Sequence, residues 1–201
     1  MRVSERKAKR RTPRQPELDP TAQRILRTFS DRAKRAGIRS VVMGELATEL
    51  GMSISTLYGH FPSKEHLVGA MVDRWCAELA THDALIEDDA IPIATRFRTW
   101  GDAWSDRIVQ YSPAFFRDLG RDYPDQSARL KRDLEARKAR GAGILRPHLR
   151  PELVPAAAFA LLDLIYTHAH DSRLGEEVGV ARRDVVRAAL AIWARGALRK
   201  R

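Results

Sequence analysis

The chain has 201 residues, 44% of them apolar, which is enough for one large domain or for a small head on a bigger body and too much for a wholly disordered chain. No apolar run reaches the roughly 20 residues that a membrane helix needs, and the single cysteine, Cys76, excludes an internal disulfide and any cysteine-built zinc site. The formal charge of +10 is uneven, with 14 Lys/Arg against 6 Asp/Glu in residues 1–64 (net +8) and 22 against 20 in residues 65–201 (net +2), so the first third of the chain suits a polyanion: DNA, RNA or an anionic membrane surface.

Residues 1–18 carry Arg2, Arg6, Lys7, Lys9, Arg10, Arg11 and Arg14 with two prolines, and read as a mobile basic arm. No apolar stretch follows the basic start, so a secretory signal is not expected and a cytoplasmic protein is. Asp19-Pro20 then supplies an N-cap and a proline for the first helical turn. Ala22, Ile25, Leu26, Phe29, Ala33 and Ala36 form the apolar stripe of that helix, and Gly37 ends it. Short helices are predicted over 41–50 and 53–59. Ser63 follows Pro62 and can cap a longer helix with Leu67, Met71, Trp75 and Leu79 on one face.

An acidic loop over 83–89 leads to Pro92 and a helix with Phe97, Trp100, Trp104, Ile108 and Tyr111 on one side. Pro113 and Pro124 bracket a short helix around Phe115, Phe116 and Leu119. A charged helix runs from about 125 towards Pro147, weakened near its end by Gly141 and Gly143. Two helices close the chain, over about 152–172 and 181–199. No stretch alternates as a strand would, and there is no internal repeat; the fold class is all-α.

The segment from Leu46 to Tyr58 carries the functional signal. Two helices meeting at a steep angle need a small residue where their axes approach, which is Ala47, and a turn tolerant of positive φ, which is Gly51. Leu57 packs the second helix onto the first, with Leu46, Leu50 and Met52 completing a small core, and Ser53 caps the second helix. An ordinary helical hairpin also turns on a glycine, but it has no need of all four features inside the basic third of a chain.

From Ile25 to about Leu67 the sequence resembles the tetracycline-repressor (TetR) family of bacterial regulators, most densely in the run Leu57-Tyr58-Gly59-His60-Phe61-Pro62-Ser63-Lys64-Glu65. The resemblance implies a three-helix helix-turn-helix head for DNA and a helical-bundle body for effector binding and dimerisation. The expected units are a flexible arm (1–18), a DNA-binding domain (19–64) and an effector-binding and dimerisation domain (65–201). It further implies DNA contacts by Thr56, Tyr58, His60 and Lys64, the last three mainly on phosphates; Tyr58 and His60 also suit plain packing, and Phe61 reads as core.

Three positions depart from the usual family pattern: Ile54, often polar or basic; Ser55, often glycine; and Gly59, often aromatic. Ile54 suits a thymine methyl and Ser55 several base edges, so both join the candidate contacts and leave the operator open. Val42 replaces a hydroxyl residue at the start of the second helix, which puts a phosphate contact there in doubt.

In the body, Phe97, Trp100, Trp104, Ile108, Phe116, Phe159 and Tyr166 are candidates to line an effector cavity, with Tyr111, Phe115 and Leu162 nearby; a plain packed core is the competing account. Small residues (Ala156, Ala157, Ala158 and Ala160, then Ala188, Ala189, Ala191, Ala194, Gly196 and Ala197) suit a dimer seam. His168 and His170 lie two apart on a helix and point away from each other, so they do not chelate one ion. Cys76 reads as an inert buried thiol. No catalytic constellation, metal site or cofactor motif is found. The expectation is a homodimer, by default a repressor, that binds a partly palindromic double-stranded operator and releases it when a small apolar or aromatic effector occupies the body, with the helix from 64 to about 80 as the link. A helical enzyme, or a membrane-surface protein whose arm binds anions, is the alternative.

Overall fold

Asp19 starts the first helix as its side chain predicts: one carboxylate oxygen accepts the free N–H groups of Thr21 (2.8 Å) and Ala22 (2.9 Å), and Pro20 takes the first helical position. The computed structural model describes residues 18–168 and 179–199. The described residues form α1 (Pro20–Ala36), α2 (Met43–Glu49), α3 (Ile54–His60), α4 (Lys64–Glu87), α5 (Ile93–Ile108), α6 (Pro113–Asp122), α7 (Pro124–Leu145), α8 (Pro155–His168) and α9 (Arg182–Ala197). A single 3-10 turn, Arg146–His148, follows α7, and the only extended pairing among the described residues is an isolated bridge between Leu149 and Leu198. The protein is all-α. The basic arm, apart from Leu18, and His170 with Asp171 lie outside the described residues.

Helices α1 to α3 enclose a small core in which Ile25, Phe29, Leu46 and Leu57 are fully buried. Each such side chain contributes about 1.5–3 kcal/mol. The turn between α2 and α3 passes through Gly51 at φ 65°, and Met52 N–H returns to the Ala47 carbonyl at 3.0 Å, so the small residue and the glycine stand where the helix-turn-helix geometry requires them. Helix α2 starts at Met43, two residues later than expected, because Val42 at its cap has no side-chain oxygen to offer the free N–H groups.

Helix α4 runs from the head into the body, where it packs on α5 and α7; α5 in turn packs on α9, and α8 on α9. Gly101 lets α5 and α9 approach, since a β-carbon there would stand 3.2 Å from Leu190 Cδ1. The acidic loop expected over 83–89 is a correction: α4 continues through Glu87 and only 88–92 connects it to α5. Ion pairs from α7 keep the carboxylates helical, Arg137 holding Asp83 and Arg140 holding Glu87 at 2.7 Å. The remaining loop is tied by Arg96, only 4% exposed, which donates to the Ile86 carbonyl and to Asp89, both at 2.9 Å.

Candidate nucleic-acid interface and internal cavity

Helix α3 is held by one buried residue, Leu57, while Ile54, Ser55, Thr56, Tyr58 and Gly59 are exposed. Ile54 is 48% and Tyr58 39% exposed, so the two largest side chains of the outer face are free to meet a partner. Ser53 caps the helix by accepting Thr56 N–H at 3.0 Å, and its hydroxyl also lies 2.8 Å from the Thr56 hydroxyl. The Thr56 hydroxyl is therefore already engaged within the cap, with capacity left for one further partner.

His60 and Lys64, read from sequence as phosphate contacts, also have partners within the head. The His60 ring lies 3.3 Å from Asp19, the cap of α1, joining the end of α3 to the start of α1. Backbone N–H bonds, chiefly from Ala22, hold the Asp19 carboxyl below the ordinary aspartate value, with His60 adding to the effect. Lys64 donates to the Val41 carbonyl at 2.7 Å, beside the start of α2. Its partial burial pulls the ammonium below the usual lysine value, against the opposing pull of Asp118 and Asp122. An ammonium has three donors, so one bond to Val41 leaves two for phosphate.

The carboxylates of Asp118 and Asp122 belong to α6, and they grip the α1–α2 connection. Asp118 accepts Arg39 N–H at 2.9 Å, and Asp122 takes the Arg39 guanidinium in a two-pronged pair at 2.6 and 3.0 Å. Ser112, the cap of α6, donates its backbone N–H to the Lys34 carbonyl at 2.8 Å. The head thus rests on the body through α6 as well as through α4. Sequence reasoning named only α4.

Between α4, α5, α6, α7 and α8 lies a cavity of about 730 Å³, within the size range of small-molecule sites. All seven candidates, Phe97, Trp100, Trp104, Ile108, Phe116, Phe159 and Tyr166, line it. Trp100 and Trp104 lie nearly parallel at 6.2 Å, and Tyr166 sets its ring edge-on to both, at 5.8 and 4.9 Å. Burial pushes the Tyr166 hydroxyl well above its ordinary pKa and keeps it protonated. Tyr111 and Phe115, named from sequence as neighbours of the site, are instead core: Tyr111 stacks on Trp75 at 3.9 Å and both are essentially unexposed.

Several lining residues escaped the sequence reading. Trp75 and Leu79 were read only as one face of α4, and Leu130, Leu134 and Ile144 sit on a helix read only as charged. His82 and Arg107 add polar atoms to the wall, as do charged residues such as Asp83, Arg137, Lys138 and Asp163. Among the described residues no group of His, Cys, Asp and Glu could hold a metal ion, and His168 bonds its own helix at Leu164 O, 2.9 Å. Cys76 is half-buried, and burial with Asp133 nearby raises its thiol to about 11. At neutral pH it stays protonated, so alkylation by iodoacetamide in the folded protein is expected to be slow at pH 7.5 and to accelerate as pH rises towards 11. Rapid neutral labelling under native conditions would contradict that environment.

Residues 32–71 match the family model described as bacterial regulatory proteins, tetR family. Solved structures share the fold along nearly the whole chain. A TetR-family transcriptional regulator from Agrobacterium tumefaciens superposes with a TM-score of 0.70 at 15% identity, over 91% of this chain and 100% of its own. A TetR regulator from Legionella pneumophila gives 0.69 at 14%, over 90% and 100%. The ketosteroid transcriptional regulator KstR2 of Mycobacterium tuberculosis gives 0.65 at 16%, over 92% and 98%. No curated protein sequence matches. Residues 32–71 thus resemble the tetR family of bacterial regulatory proteins, and the described residues share the all-α fold of solved transcriptional regulators. No helix among the described residues is long and apolar enough to cross a membrane.

Proposed function

We propose that this protein is a ligand-responsive repressor that binds a partly palindromic operator as a homodimer and leaves it when a small, largely apolar or aromatic effector fills the cavity. In this reading residues 19–64 are the DNA-binding unit and residues 65–201 sense the effector and dimerise. The observation that carries it is the double role of α6: Phe116, Leu119 and Gly120 line the cavity, while Asp118 and Asp122 of the same helix hold the head. A ligand that favours one placement of α6 over another biases the head by that difference in affinity.

Selection of bound sequences from a random duplex pool tests the DNA half. The expected winner is a partial palindrome whose affinity falls linearly with log salt, each neutralised phosphate adding about 0.9 to the slope. Lys64→Ala is expected to weaken every sequence alike and flatten that slope, whereas Thr56→Ala changes which sequences win. Equal affinity for selected and scrambled duplexes would end the proposal in favour of non-specific anion binding.

Exposed apolar side chains support the homodimer. Leu161 and Leu164 on α8 are 59% and 54% exposed, and Ile192 on α9 is 63% exposed, among exposed Ala157, Ala160, Ala188 and Gly196. Ala158 and Ala197 of the expected seam are instead buried inside the protomer. The double variant Leu161→Glu, Ile192→Glu is expected to sediment as a monomer and to bind a palindrome no better than a half-site. A dimer of unchanged affinity would place the seam elsewhere.

A further inference from the structure

The charged pairs Asp83–Arg137, Glu87–Arg140 and Asp163–Lys138 join the apolar wall of the cavity, and at the corner where α4 meets α5 the lining residues His82 and Arg107 lie beside Glu78. Glu78 and His82 are one helical turn apart and share a face of α4, and Arg107 lies three residues beyond Trp104 on α5. Arg107 gives a terminal N–H to Glu78, which also takes Arg74 Nε–H at 3.0 Å. Two atoms of this corner are out of solvent and have no hydrogen-bond partner among the described residues: His82 Nδ1 and Arg107 Nε. Both residues line the cavity. An unmatched buried donor or acceptor costs about 1–3 kcal/mol, so a ligand that satisfies both is selected over one that does not.

The surroundings of the corner decide the kind of group. The Arg107 charge is already balanced by Glu78, whose carboxyl is held below its ordinary value by Arg74 and Arg107 although burial pushes it upward. Asp83, on the same helix as His82, is paired with Arg137 of α7. An added carboxylate at the corner would face Glu78 and Asp83, with Arg107 and Arg137 already paired to them. Burial, then the Arg107 charge, lowers the pKa of His82, so its ring is neutral at pH 7 and Nδ1 is available to a neutral partner. A hydroxyl is complementary to both atoms: its hydrogen goes to His82 Nδ1, and its oxygen accepts from Arg107 Nε.

Building on the effector-cavity reading above, we propose that the natural effector is an uncharged amphipathic molecule, with an apolar or aromatic body against Trp100, Trp104 and Phe116 and one hydroxyl bound between His82 and Arg107. The corner then sets specificity, and the aromatic wall supplies most of the affinity.

Three probes of one shape separate the possibilities: 4-octylphenol, octylbenzene and 4-octylbenzoate. Each is titrated at pH 7.5 into the full chain by intrinsic fluorescence, which reports on the site because Trp75, Trp100 and Trp104 line it. The phenol is expected to bind about tenfold more tightly than octylbenzene, the scale of an unmatched buried polar group, and more tightly than the benzoate. His82→Leu is expected to bring phenol and hydrocarbon within about twofold of each other. His82→Asn, whose amide occupies the place of Nδ1, keeps part of the preference and serves if the leucine variant does not fold. Equal binding of phenol and octylbenzene to the wild type would overturn the hydroxyl site while the effector cavity stands, as would a benzoate that binds best or a preference unaffected by His82→Leu. Failure of all three probes to bind would overturn the hydroxyl site and the apolar-effector reading together.

Discussion

A Gly37→Ala variant is expected to unfold about 5–15 °C below the wild type and to lose operator affinity with it. Gly37 follows α1 at φ 91° and ψ 159°, a region open to glycine and costing other residues about 1–3 kcal/mol. The added carbon would also stand 2.6 Å from Asp118 Oδ2 and 3.0 Å from Ala114 Cβ. Asp118 is the residue that accepts Arg39 N–H, so relief of the clash breaks the link between head and α6. The two losses act at one place, which is why a single methyl group is expected to weigh so heavily. Gly44→Ala is the matched control, because a β-carbon there meets nothing within 4 Å and alanine favours the helix. Similar melting of the Gly37 and Gly44 variants would show that the contact between the α1–α2 connection and α6 contributes little.

The second large effect is expected in the cavity. Trp104→Ala, and to a lesser degree Trp100→Ala, should reduce the effector's ability to release DNA at least tenfold and leave ligand-free operator binding within about threefold of wild type. Tenfold corresponds to about 1.4 kcal/mol of coupling, and linkage demands that ligand affinity in the presence of operator change to match. Trp104 touches Trp100 and Tyr166, and among the described ring contacts it makes none with the stack of Trp75, Tyr111 and Phe115. Operator titrations with and without 4-octylphenol, alongside thermal melts, measure both sides. Loss of DNA binding and cooperative melting together would make these tryptophans structural and the pocket assignment wrong.

Local chemistry explains which parts of this arrangement were readable from sequence. Asp19, Gly37, Gly51, Ser53 and Ser63 act through groups within a few residues, so caps and turns identify themselves. The aromatic residues of α5 were readable as a set, because spacing of three and four puts them on one face. What that face meets depends on residues far away in the chain. Tyr111 continues the stripe but lies beyond the end of α5, and the chain turn at Ser112 carries it to Trp75. The α7 wall was hidden because the charges of Arg129, Arg137, Lys138 and Arg140 mask its apolar residues, whereas each of these cations finds a carboxylate on α4 or α8. The same pairing turned the acidic run 83–87 from an apparent loop into helix. The unmatched atoms of His82 and Arg107 follow from burial, which no spacing encodes.

In the proposed operator reading, the cap of α3 has a consequence for the kind of information the head extracts from DNA. With the Thr56 hydroxyl engaged by Ser53, the outer face offers carbon at Ile54 and Thr56 beside the hydroxyls of Ser55 and Tyr58. Carbon distinguishes bases by shape, and in the major groove the protruding carbon is the pyrimidine C5-methyl. Such a surface responds to an atom that takes no part in base pairing. Cytosine methylation would present it with a thymine-like edge, and uracil in place of thymine would remove one. The genetic text would be unchanged in both cases, but the chemical marking of the site would be legible to this protein.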